Sequence, residues 1–103
     1  SMGIQARINK ARRIQQKRFA EQHEIYANRQ MGPREIKKYC QVEEDGKELL
    51  RTAIDKLGFS ARTYDRVLKV SRTIADLEET DKITATHISE AIQYRSLDRN
   101  LWR

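Results

Sequence analysis

A chain of 103 residues can form one small domain around a single core. Charged residues make up 35% and hydrophobic residues 38%, with one Pro and four Gly, a mix that suits a soluble helical protein with a modest core. No apolar run approaches the roughly 20 residues that span a bilayer, no signal-peptide core is present, and the lone Cys40 excludes an internal disulfide, which fits a reducing, cytoplasmic setting.

The net charge of +6 is unevenly placed. Residues 1–39 hold ten Lys/Arg against three Asp/Glu, a balance of +7, and residues 40–103 hold eleven against twelve, a balance of −1. Such asymmetry signals nucleic-acid contact, an acidic partner surface or a solvated basic helix. Ser1-Met2-Gly3 reads as a cloning remnant, and the rest as a fragment of a longer protein.

No strand pattern appears, and apolar residues recur at helical spacing. A first helix is predicted at about 4–21, with Ile4, Ile8, Ala11 and Phe19 on one side and Ile14 nearby. Arg7, Lys10, Arg12, Arg13, Lys17 and Arg18 surround that thin stripe. "YANRQMGP" breaks the pattern, and Pro33 suits the first position of a short helix at about 33–39. A third helix is predicted at about 43–57, with Leu49, Leu50, Ala53, Ile54 and Leu57 facing inward. The capping-box spacing of Asp45 and Glu48 allows a start at Asp45, and Gly58 can close the helix in the left-handed conformation.

The fourth helix, about 61–78, has the clearest start, with Ser60 as N-cap and Phe59 and Tyr64 at staple positions. Tyr64, Val67, Leu68, Ser71, Ile74 and Ala75 form its predicted inner stripe, and Arg62, Asp65, Lys69, Arg72 and Asp76 its outer side. "EETDK" is a polar turn, and Thr84 caps a fifth helix at about 85–95 with Ile88, Ala91 and Ile92 inward. Residues 97–103 form an unassigned tail containing Trp102. The expected fold is all-α, a compact bundle of about five helices spanning residues 4–96.

Enzymatic chemistry has little foothold here. "DGKEL" lacks the first glycine and the Ser/Thr of a phosphate-binding loop, so no Walker A motif is present. Two His and one Cys, scattered, make no zinc pattern, and His23, His87 and Cys40 read as solvated or structural. No nucleophile stands beside an orienting base. One residue breaks a local rule. Arg62 falls in the first turn of the fourth helix, where a cation opposes the dipole at a cost of a few tenths of a kcal/mol, up to about 1. It reads as a phosphate-facing side chain, or as a solvated arginine or a partner of Asp65. Arg66, one turn later, reads as a second phosphate contact or as a surface or inter-subunit ion pair.

The segment "GFSARTYDRVLKVSRTIADLEETDKITATHISEAIQYRSLDR" resembles the C-terminal helical region of magnesium-chelatase-like AAA+ ATPases, in particular their ComM (YifB) branch. "MGPREIKKYCQ" and "ARRIQQKRF" also look like that branch. The resemblance implies a helical lid that follows an α/β nucleotide-binding core in a ring-forming, hexameric P-loop ATPase. The arginine of its Ser-x-Arg signature is the sensor-2 residue that contacts the ATP γ-phosphate, which maps onto Arg62. Whether its own subunit's nucleotide or a neighbour's is meant stays open. ATP and Mg2+ are then expected in the full-length protein and neither on the fragment alone, which should be inert. The ComM branch further implies DNA branch migration, and the magnesium-chelatase branch porphyrin metallation. The competing reading is a self-sufficient nucleic-acid-binding module working through residues 7–18, with Arg12, Arg13 and Lys17 as contacts.

Overall fold

The computed structural model describes the backbone of residues 2–22 and 24–98 and the side chains of 3–22 and 24–94. His23, Trp102 and the rest of the tail beyond 98 lie outside the described residues. Among the described residues five α-helices follow in order: α1 Met2–Arg18, α2 Pro33–Tyr39, α3 Glu44–Leu57, α4 Ala61–Leu77 and α5 Ala85–Asp98. A single 3-10 turn, Asn28–Gln30, stands between α1 and α2. The all-α bundle is as the sequence predicts, with no strand among the described residues.

Local chemistry explains most of the helix ends. Ser60 Oγ accepts the backbone N–H of Thr63 at 3.2 Å, the N-cap bond expected of α4. Gly58 closes α3 at φ 64°, and its N–H returns to the Ile54 carbonyl at 3.0 Å. Glu79, at φ 58°, plays the same part for α4 without being a glycine. The Glu79 N–H donates to the Asp76 carbonyl and the Thr80 N–H to the Ala75 carbonyl, both at 3.0 Å, the paired bonds of a Schellman end. At the start of α5, Thr84 and His87 cap each other: the Thr84 N–H donates to His87 Nδ1 at 3.0 Å and the His87 N–H to Thr84 Oγ1 at 3.4 Å. Histidine thus stands where a capping box ordinarily has Glu or Gln.

The buried core joins Phe19, Met31, Ile36, Cys40, Leu50, Val67, Leu68, Ala75, Ile83, Ile88 and Ala91. α4 is its spine and packs against α5, α1, α2 and the 3-10 turn. One strand-like clip ties the α2–α3 joint to the chain entering α5. There the Glu43 N–H meets the Ile83 carbonyl at 2.9 Å, and the Ile83 N–H the Gln41 carbonyl at 3.1 Å.

Several expectations need correction. α1 stops at Arg18 rather than 21, because the chain turns so that Phe19 can drop into the core against the edge of Tyr39, ring centroids 5.6 Å apart. Ile4 is 60% exposed and Leu57 53% exposed, so neither belongs to an inner stripe. Arg18, Arg72 and Asp76 were expected outside and are buried or nearly so, and His87 is buried at its cap instead of solvated. Each of these polar groups has found partners that replace water.

Candidate anion-binding groove

A buried polar cluster fixes the upper end of the bundle. Asp76 accepts four hydrogen bonds: from Arg18 at 2.8 and 2.9 Å, from Asn28 Nδ2 at 2.8 Å and from Arg72 Nε at 3.2 Å. Arg72 spends its remaining donors on the carbonyls of Tyr39, Thr80 and Asp81. The Tyr39 carbonyl ends α2, where a helix leaves acceptors without intrahelical partners and favours a cation, and the other two lie in the turn that follows α4. Desolvation lowers the Arg72 pKa, and Asp76 pushes it back up. The same burial pushes the neighbouring Cys40 thiol up to about 11, with Arg72 opposing the rise. Cys40 is therefore a neutral thiol at ordinary pH, and low reactivity follows.

Asn28 carries this order outward. Its Nδ2 also donates to Thr73 Oγ1 at 3.1 Å, its Oδ1 accepts from Arg18 at 2.8 Å, and its backbone N–H donates to Gln15 Oε1 at 3.0 Å. The 3-10 turn is thereby anchored to both α1 and α4. The next residue, Arg29, has its carbonyl held by the Lys69 ammonium at 3.1 Å, while its side chain is exposed.

Beside that turn runs an open groove of about 840 Å³. Arg29, Arg62, Asp65, Arg66, Lys69, Val70, Thr73, Ile74 and the half-exposed Tyr94 line it. Spacings of four, three and four residues put Arg62, Arg66, Lys69 and Thr73 on one face of α4. The groove therefore has an apolar floor, four cations and one carboxylate. Arg62 is exposed in the first turn of α4 and makes no ion pair with Asp65 or any other described carboxylate. Chemically, the arrangement can attract and hold an anion with planar guanidinium groups.

The structure brings Arg62 and Arg66 together in the groove but not Arg12, Arg13 or Lys17. These three are exposed on α1, a helix with no acidic residue in its first turn, and they line a different part of the surface. Sequence reasoning missed Arg29, the role of Asn28 and the burial of Arg18. The row Leu68, Arg72, Asp76, four residues apart, contained a signal, since its first member is core. Arg18 offered none, because its partner lies 58 residues away in the chain.

Comparison with known proteins places this sequence in a family. The model of the family described as "Magnesium chelatase, subunit ChlI C-terminal" matches residues 1–95. The Competence protein ComM of Haemophilus influenzae is 37% identical over 101 residues, covering 98% of this chain and 19% of the relative. Uncharacterized protein YifB of Escherichia coli is 36% identical over the same length and shares. Uncharacterized protein YifB of Salmonella typhimurium is 45% identical over 74 residues, covering 72% of this chain and 15% of the relative. The chain thus spans less than a fifth of the length of these relatives.

Proposed function

The chain belongs to the family of magnesium-chelatase ChlI C-terminal domains, and from that premise we infer that it is the lid of a magnesium-chelatase-like, ComM-type AAA+ ATPase. In this reading the lid packs on an upstream α/β core of the same chain, and the core holds ATP and Mg2+. Arg62 is sensor 2, directed at the γ-phosphate. Arg66 makes a second phosphate contact or an inter-subunit pair. The full-length protein assembles as a homo-oligomeric ring, a hexamer, that acts on DNA in the cytoplasm. No described helix is long and apolar enough to cross a membrane.

The observation that carries the reading is the state of Arg62. It is exposed, without a carboxylate partner among the described residues, on a helix whose N-cap is made and whose buried face is packed. A phosphate arriving there meets a cation that need not first give up a described carboxylate. The groove suits phosphate oxygens and not a metal ion, since no cluster of three or more His, Cys, Asp or Glu occurs among the described residues. The rest of α4 is tied to α1 and the 3-10 turn through Asp76 and to α2 through Arg72, so the lid moves as one body when the phosphate leaves.

The test is Arg62→Ala in the full-length protein. ATP hydrolysis, or its coupling to DNA branch migration, falls by at least about tenfold, since arginines at transferring phosphates are worth several powers of ten. The isolated domain keeps its melting temperature. Normal hydrolysis together with normal coupling removes the sensor role. A second reading draws on Arg12, Arg13 and Lys17, all exposed on α1. It makes the domain itself a nucleic-acid binder, and it wins if DNA binding is steeply salt-dependent, survives Arg62→Ala and is lost on charge reversal at those three positions. Porphyrin metallation by the full-length protein would instead identify a true magnesium chelatase.

A further inference from the structure

Four cations share the groove with one carboxylate, Asp65. Arg29 and Arg62 both lack a carboxylate partner among the described residues. They come from separate segments, one from the 3-10 turn and one from the first turn of α4. Like charges gathered in a concave site repel one another and focus a positive potential outward, and an anion bound among them removes the repulsion.

The backbone of Arg29 is held from several sides. Its carbonyl accepts from Lys69, and Asn28 before it is buried and bonded to Asp76, Thr73, Gln15 and Arg18. Gln30 after it accepts the backbone N–H groups of Tyr26 and Ala27 at 2.7 and 3.1 Å. A side chain on so fixed a base loses less freedom when it grips a ligand. Such an investment of buried polar groups beneath an exposed, unpaired guanidinium has no counterpart at Arg12 or Arg13, which project from a plain helix surface.

We propose that Arg29 is a second phosphate-binding residue, acting with Arg62 on one phosphate-bearing ligand in this groove. The identification of that ligand as the terminal phosphates of a nucleotide rests on the lid reading above. The pairing of Arg29 with Arg62 rests only on the groove. Both guanidinium groups donate to phosphate oxygens, and the Lys69 ammonium keeps the turn carrying Arg29 against α4.

The experiment is a calorimetric titration of this chain with inorganic tripolyphosphate at low ionic strength, where exposed charges are least screened. Arg29→Ala and Arg62→Ala each weaken binding about tenfold, as expected for loss of a charge-assisted contact. Arg29→Lys keeps the charge but loses the fork, and falls between the parent and Arg29→Ala. Arg12→Ala, outside the groove, stays within about twofold, and all four variants melt like the parent. The proposal is overturned if the parent does not bind, if Arg29→Ala binds within about twofold of it, or if Arg12→Ala weakens binding as much as Arg29→Ala does. If both groove arginines are needed here while Arg62→Ala leaves hydrolysis and coupling by the full-length protein unchanged, the sensor role falls and the groove stands.

Discussion

Replacing Asp76 by Ala removes the one anion in the buried cluster. Its carboxylate, 1% exposed, accepts four hydrogen bonds from Arg18, Arg72 and Asn28. The two guanidinium groups left behind are 11% and 3% exposed, too enclosed for water to take over. Stranding a buried charge in this way costs about 3–5 kcal/mol. A chain of this length has about 5–15 kcal/mol of total stability, so the loss is a large fraction of it. The melting temperature should fall by at least about 12 °C, at roughly 4–8 °C per kcal/mol. Urea denaturation followed by far-ultraviolet circular dichroism gives the free energy directly. Asp76→Asn should be nearly as damaging, because its amide turns two donors toward donors. Adding Arg18→Met and Arg72→Met to Asp76→Leu should recover part of the loss, since no charge is then stranded although Asn28 and the carbonyls of Tyr39, Thr80 and Asp81 lose partners. A loss below about 1 kcal/mol for Asp76→Ala would refute the assignment of this cluster as the clamp on α1, α4 and the 3-10 turn.

Three further outcomes test other parts of the structure. Cys40, raised to about 11 in the fold from an ordinary 9.0, holds its proton more tightly when native than when unfolded. Its contribution is therefore complete below pH 9 and is lost as pH rises toward 11, by up to about 2–3 kcal/mol, and a stability gap to Cys40→Ala that ignores pH over this window would count against it. Ser71 Oγ is buried without a hydrogen-bond partner, so Ser71→Ala should raise stability by about 0.5–1 kcal/mol in the same urea assay, and any loss would mean that the hydroxyl has a partner. A Cβ added at Gly46 would lie 2.5 Å from Val42 Cγ1 and 3.5 Å from the Ala85 backbone N, so Gly46→Ala should destabilise by about 1–2 kcal/mol although alanine favours helix, and a more stable variant would show that this joint yields freely.

The start of α2 at Pro33, the Ser60 cap, the Gly58 stop and the burial of Ile88 could all be read from neighbouring residues. Each depends on chemistry within a turn or two of the chain. Arg62 was singled out for the same reason, as a residue at odds with its own helix end. The α4 stop was harder, because Glu79 took a left-handed conformation where a glycine would have announced it.

Charge was the poorest guide to exposure. Arg18, Arg72, Asp76 and His87 all look like surface residues until their partners are known. An ionised side chain can be buried only where opposite charge and donors or acceptors meet it, and those partners come from distant segments. Arg29 joins Arg62 for a related reason: the turn that carries it is placed by Asn28 reaching Asp76, 48 residues away.

Amino-acid order alone thus set the number of helices, most of their ends and the greasy stripe along α4, because these follow from interactions a few residues long. Which charges are sealed inside, and which cations share one groove, was decided by packing five helices together, because burial and proximity are properties of segments that meet only after the chain has folded.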